Sequence, residues 1–189
     1  MDEQQRQLIG EELVPIPVAP GHPQLHDSHY VRNGTVTNFM FFEPLGNRRR
    51  VSVRKRRTQQ DFAEEIAYLL DVDYPDADVA VLAMDSLNTH KIGSLYERFS
   101  PEVARAYANR LEIHFTPKHG SWLNAAESEF SVLTVQCLGR RIGDIETFRR
   151  EVQAWQDARN ASGNGMDWQF TTDNARIKLK RLYTQCKKR

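Results

Sequence analysis

The sequence predicts a mixed α/β sheet with three early antiparallel strands, then alternating helices and strands, with helices on both faces. Three observations predict it. Two apolar runs flank a Gly46-Asn47 turn and read as a hairpin. The short apolar runs ending at Met84 and Phe115 are separated by a stretch of helical character, and everything from Trp122 to about Ala161 is patterned as helix. A chain of 189 residues is long enough for one sizeable core and short for two, so one domain over residues 1–189 is expected.

The elements follow in order. "QLIGEE" is a short strand candidate, and "LVPIPVAPGHPQLHDSHY" holds too many prolines for a helix, which leaves an extended loop. "GTVTNFMFFEPLGNRRRVSVRKRR" gives the second and third strands. In "TQQDFAEEIAYLLDVDY", Thr58 is the N-cap with Asp61 three residues on, and Phe62, Ile66, Leu69 and Leu70 recur at helical spacing. "VLAM" is a buried strand stopped by Asp85. A helix is expected within "KIGSLYERFSPEVARAYANR", then the strand "LEIHFTP" closed by Pro117, then helix broken near "GRRIGD". In a sheet of this order the first and fourth strands can lie side by side.

Composition narrows the function classes. With 40% hydrophobic and 27% charged residues the chain is ordinary globular material. No run approaches the roughly 18 uninterrupted apolar residues of a membrane span, and the acidic, polar start "MDEQQRQLIGEE" is no signal peptide, so a cytoplasmic protein is expected. Cys137 and Cys186 lie far apart without metal-type spacing, which argues against a disulfide framework or a zinc ribbon.

Net charge is only +1, but its distribution is uneven. "RRRVSVRKRR" (48–57) holds seven basic residues in ten and "KLKRLYTQCKKR" (178–189) six in twelve. Such patches neutralise phosphates and steer polyanions, although either one alone is also what a solvated basic face looks like. Arg54, Lys55, Arg56 and Arg57 in the first, and Lys178, Lys180 and Arg181 in the second, are the DNA-binding candidates.

Asp85 stands at the carboxyl end of a strand, the edge of an α/β sheet where ligands collect. The same residue type also serves as a turn or helix-capping aspartate. Further acids are needed for chemistry, and "TPKHGSWLNAAESEF" supplies Glu127 and Glu129 on a helix whose inward positions are Leu123, Ala126, Phe130, Leu133 and Cys137. At about 100° per residue the two glutamates fall roughly 80° to either side of the apolar stripe, so the wheel does not choose between them. Either is otherwise an ordinary boundary residue in water.

"DSLNTHK" followed by "HFTPKHGSWLNAAESEF" resembles the DDE endonuclease domain of bacterial insertion-sequence transposases in the mariner superfamily, where a strand-ending acid precedes an Asn-Thr-His element and a "TP…SWLN…E" element carries the third acid. "DE" at Asp2 and Glu3, "YVRNGT" at 30–35 and the tail "WQFTTDNARIKLKRLY" extend the match over nearly the whole chain. The resemblance implies a ribonuclease-H-like fold. It assigns the three acids, as catalytic and metal-binding residues, to Asp2, Asp85 and Glu127, with Asn124 as the asparagine of the "LN" element. Asn88 and His90 are supporting residues, orienting substrate or fixing their loop. Ser86 stands where the family usually has Asn, and the 41 residues between Asp85 and Glu127 make a long interval whose extra length is expected to extend the helix or loop around "SPEVARAYA".

Three carboxylates on separate elements suit Mg²⁺ or Mn²⁺, which take oxygen ligands and in nucleases act as a pair about 4 Å apart. Without cations such acids repel, so the site should be loose or partly protonated. The resemblance also implies DNA as partner, at transposon ends and target, and a homodimer in the DNA complex. In the family the first acid lies within a longer strand, preceded by a helix-turn-helix region. Asp2 is therefore expected to sit on a truncated, frayed first strand, with the helix-turn-helix absent and residues 162–189 forming a basic tail.

Two other features are weighed against simpler roles. Trp122 can stack on a base, but an aromatic opening a helix is usually core. His22, His26 and His29 with Asp27 are zinc-type residues, on a proline-rich loop with uneven spacing and no cysteine nearby. Two functional classes follow: a metal-dependent DNA strand-cleaving and strand-transferring enzyme, or a defective transposase fragment acting only as a DNA-binding or protein-pairing module. Carboxylate-dependent Mn²⁺ binding separates them.

Overall fold

The computed structural model describes residues 1–87, 89–117, 120, 123–163 and 165–180. β1 (Asp2–Glu11), β2 (Tyr30–Glu43) and β3 (Arg48–Arg54) form an antiparallel sheet in that order. Asp2 pairs with Met40, which pairs in turn with Val51. β2 is the central strand, and its run Val36–Phe41 is buried throughout, as a strand covered on both faces requires. Alternation divides it. Phe39 and Phe41 join Phe62, Ile66, Leu70, Met84 and Leu95 on one face, while Val36 and Met40 join Leu8, Phe130, Leu133, Phe148 and Val152 on the other.

β1 is longer than the expected "QLIGEE" and begins at Asp2 itself. Residues Gln4 to Gln7 are polar and carry no alternation, so they do not announce a strand; the ladder with β2 holds them in one regardless. A bulge at Leu8 breaks the register, and beyond it Ile9 N donates to Ile142 O at 3.0 Å. Here two backbones come close: a Cβ on Gly143 would lie 3.1 Å from Gly10 Cα, and one on Gly10 would lie 3.0 Å from the side-chain amide of Asn33.

After the turn at Asn47 (φ 51°), β3 leads to α1 (Gln59–Tyr68), where the Thr58–Asp61 capping box is complete. α1 runs into a π-helical turn, Leu69–Asp73, closed by Tyr74 N to Leu69 O. That turn swings Asp73 back to β3, where it meets Arg48 at 3.0 Å and Arg50 at 2.5 Å. β4 (Ala80–Met84) and β5 (Leu111–Phe115) are parallel, with Leu82 opposite Ile113. Between them stand two helices, α2 (Gly93–Arg98) and α3 (Pro101–Asn109). The segment expected to extend one helix starts a second, because Ser100 caps Val103 N and Pro101 opens a new first turn.

β1 and β4 do not join into one sheet. Just ahead of β1 the Met1 ammonium donates to Ala83 O at 2.7 Å, and β4–β5 is a separate two-stranded sheet. The whole is a ribonuclease-H-like mixed α/β arrangement. α4 (Ala125–Gln136) and α5 (Ile145–Ala161) cover the second face, and α6 (Thr172–Lys178) follows.

α5 also protects the free edge of β3. Gln156 Oε1 accepts from Val51 N at 2.6 Å, Asn160 pairs with both backbone groups of Arg49, and Arg149 donates to Val53 O. These side chains lie along one stripe of the helix and satisfy the row of groups that an exposed edge strand would present to another chain. The proline-rich loop after β1 is extended, with bridges Ile16–Leu25 and Ala19–His22. No described helix is long and apolar enough to cross a membrane.

Candidate active site

Asp2, Asp85 and Glu127 come from three elements into one electrostatic field. Asp2 opens β1, Asp85 follows the last residue of β4, and Glu127 lies in the first turn of α4. Asp2 Oδ1 accepts from Glu3 N at 2.8 Å. Burial, countered by that hydrogen bond and reinforced by the negative charges of Asp85 and Glu127, pushes the Asp2 carboxyl from 3.8 up to about 6. Neighbouring carboxylates raise one another's pKa only when they are close. The direction is the one that acids brought together without a cation should show.

The expected fraying is absent. Asp2 is paired with Met40, and the residue before it is held from two sides: Met1 N donates to Ala83 on the strand that carries Asp85, and Met1 O accepts from Asn124 Nδ2 at 2.9 Å. Asn124 is buried and its own oxygen caps α4 through Ala126 N at 3.2 Å. Asn124 thus ties the helix of Glu127 to the start of β1.

The two glutamates of α4 face different surroundings. Glu127 contributes to the field at Asp2, whereas Glu129 is 2% exposed and lies between Arg159, at 3.0 and 3.1 Å, and Arg49, at 3.1 Å. The helical wheel could not separate them because the apolar stripe has a basic pocket on one side and the acids on the other.

His90 lies beneath Asp85 with no exposed side-chain surface. Its Nε2 meets Glu3 Oε1 at 2.9 Å, and Nδ1–H donates to Asp85 O at 3.2 Å. Nδ1 is also 2.8 Å from Asp85 Oδ1, but out of line, so that oxygen has no aligned donor among the described residues. Burial opposes a charge on His90, yet the hydrogen bond and charge of Glu3, with the carbonyl and charge of Asp85, raise its pKa above the ordinary histidine value. Among the described residues no three His, Cys, Asp or Glu side chains already form a metal cage.

Asn88 and Trp122 lie outside the described residues, as do Lys118, His119, Ser121 and Arg181. The first basic run is largely paired within the protein. Arg54 reaches Glu64 and Glu65 at 2.6 Å and Asp61 at 3.4 Å; Arg50 is tied to Glu65 and Asp73; and Arg57 lies 3.4 Å from Glu3. Lys55 and Arg56 are exposed. Lys178 and Lys180 lie at the end of α6, each with an interaction inside the protein. The histidine-rich loop gathers no ligand set. His26 pairs with Glu11 at 2.7 Å and His29 with Asp27 at 2.8 Å.

The family model for the DDE superfamily endonuclease matches residues 1–149. The chain belongs to this family. The match runs from Met1 past the start of α5, so in this DDE endonuclease it takes in every element that carries the three acids. No curated protein and no solved structure matches the chain.

Sequence reasoning missed Glu3. It sits next to Asp2 and so points to the opposite face, where its side chain is 2% exposed. A pH dependence follows from Asp2. A folded-state pKa of about 6 against 3.8 means that the folded chain binds this proton more tightly. Its contribution is therefore full below about pH 4 and is lost as pH rises towards about 6. Thermal melts of Asp2→Asn are expected to fall less between those pH values than melts of the parent; equal falls would remove Asp2 as the source.

Proposed function

We propose that this DDE endonuclease is the catalytic part of a mariner-superfamily transposase from a bacterial insertion sequence, cutting and joining DNA strands at transposon ends. The observation that carries the reading is the arrival of Asp2, Asp85 and Glu127 from three elements, where the charges of Asp85 and Glu127 add to the burial that lifts the Asp2 carboxyl. That fits a divalent cation in two respects. The donors are all carboxylate oxygens, the type that Mg²⁺ and Mn²⁺ prefer, and Asp85 Oδ1 has no aligned donor.

In this reading Asp2, Asp85 and Glu127 would hold two Mg²⁺ or Mn²⁺ ions. When bound, such a pair supplies an activated water or 3′-hydroxyl and stabilises the leaving oxygen of the cut phosphodiester. The chain's own residues do the placing. Asn124 keeps the helix of Glu127 against the start of β1, and His90 holds the turn of Asp85; Asn88, by its place in the "DSLNTHK" motif, is proposed to support substrate there. Of the basic run, Lys55 and Arg56 are the groups turned outward to meet phosphates; Arg54 serves by shaping the surface beside them. Lys178, Lys180 and Arg181 in the 162–189 tail add contacts to DNA, residues 1–189 act as one catalytic unit, and two copies pair on DNA.

Supercoiled DNA incubated with the protein and Mn²⁺ is the test. Nicked circles that vanish with chelator are expected. Binding should weaken with salt, and each of Lys55→Ser and Arg56→Ser should flatten the log–log salt slope by about 0.9 for every phosphate it no longer neutralises. Binding without any nicking would leave only a DNA-binding module and overturn the enzymatic reading.

A further inference from the structure

We infer that Glu3 is a positioning residue for Asp85, acting through the buried imidazole of His90; the inference rests on the reading of Asp85 as a metal-binding acid. Asp85 follows β4 on a loop, and a loop carboxylate has rotamers to lose before it can serve as a ligand. The loop is folded back on itself: His90 N donates to Leu87 O at 3.0 Å, and Ser94 Oγ to Thr89 O at 2.8 Å. His90 then fills the space under Asp85. Its ring packs on Phe62 with centroids 5.0 Å apart, donates from Nδ1 to Asp85 O, and is met on the far side by Glu3 Oε1 at 2.9 Å.

The topology gives this tie its importance. The strands carrying the first two acids share no ladder among the described residues; Met1 N, just ahead of β1, donates to Ala83 O. The line Glu3–His90–Asp85 is therefore a side-chain bridge where a continuous sheet would have backbone bonds. Because Asp2 and Glu3 are adjacent and point to opposite faces of β1, a single step of one strand sets both acids. Asp2 is placed directly, and Asp85 is placed through Glu3 and the ring. Partners that orient a metal-binding group in this way typically change metal affinity by about 10–100-fold when removed.

Two readouts on Glu3→Ala test this, neither of them activity. In the metal-free protein, exchange protection of the His90 amide is expected to fall by about tenfold or more, while amides of the β2–β3 ladder keep theirs. Calorimetric Mn²⁺ affinity is expected to drop by about tenfold or more. Glu3→Gln, which still offers an acceptor to Nε2–H, should recover most of both. Should Glu3→Ala fail to fold, His90→Asn, whose amide reaches the Asp85 side but not Glu3, must give the same weakening. Unchanged His90 protection together with unchanged Mn²⁺ affinity overturns the inference. If protection falls but Asp85→Ala binds Mn²⁺ as tightly as the parent, the metal reading of Asp85 fails while the positioning by Glu3 stands.

Discussion

Asp85→Ala and Glu127→Ala are each expected to lower Mn²⁺-dependent nicking to the level of a chelator control, while the variants melt at or slightly above the parent temperature. In the proposed two-metal site either change would remove one ligand and uncouple the metal pair, so cleavage would be lost without any loss of packing. Asp85 is 35% exposed, and its carbonyl, which His90 uses, survives the substitution. Removing a charge that repels Asp2 relieves the folded state at neutral pH. The Asp2 carboxyl should accordingly titrate lower in both variants than in the parent. NMR titration of the Asp2 side chain reads that shift independently of DNA. Nicking that persists in Glu127→Ala, or an Asp2 titration that does not move, would take Glu127 out of the site.

Much of the fold was legible because local chemistry and tertiary structure agree. The Thr58–Asp61 box, the Gly46-Asn47 turn, the strand stopped by Asp85 and the break before α5 each carry their own signal, and each is where the pattern puts it. What escaped depends on partners distant in sequence. The polar residues Gln4 to Gln7 become a strand only because β2 offers a ladder, and the π turn at Leu69–Asp73 has no sequence mark. The site shows the same division. Asp85 and Glu127 stand out through the motifs around them, whereas Glu3 looks like one more acid in an acidic start until β1 alternation puts it under Asp85. The run "RRRVSVRKRR" shows the same division: the acids that meet its arginines lie on other elements, α1, the π turn, α4 and β1, and leave no mark in the run itself. Alternation along β3 sends Arg50 and Arg54 to Glu65 and Arg49 to Glu129.

That last pairing leads to the largest expected effect on stability. Glu129→Ala should destabilise the protein by about 3–5 kcal/mol, because it leaves the positive charges of Arg49 and Arg159 facing each other without the carboxylate between them. Arg49 has no exposed side-chain surface and Glu129 is 2% exposed, so water cannot take the place of the missing oxygens. The Arg159 fork, held at 3.0 and 3.1 Å, loses both acceptors at once. For a chain of this size the melting temperature should fall by roughly 10 °C. Glu129→Gln keeps one acceptor and the volume, so it should cost less than Glu129→Ala but more than Glu127→Ala, which is expected to cost nothing. A matched pair follows: of two glutamates on one helix, two residues apart, one is expected to control cleavage with the melt unchanged, and the other to control the melt. Scanning calorimetry with nicking assays on Glu127→Ala and Glu129→Ala reads both. A Glu129→Ala variant that melts with the parent yet no longer nicks would exchange the two roles and return the third acid to Glu129.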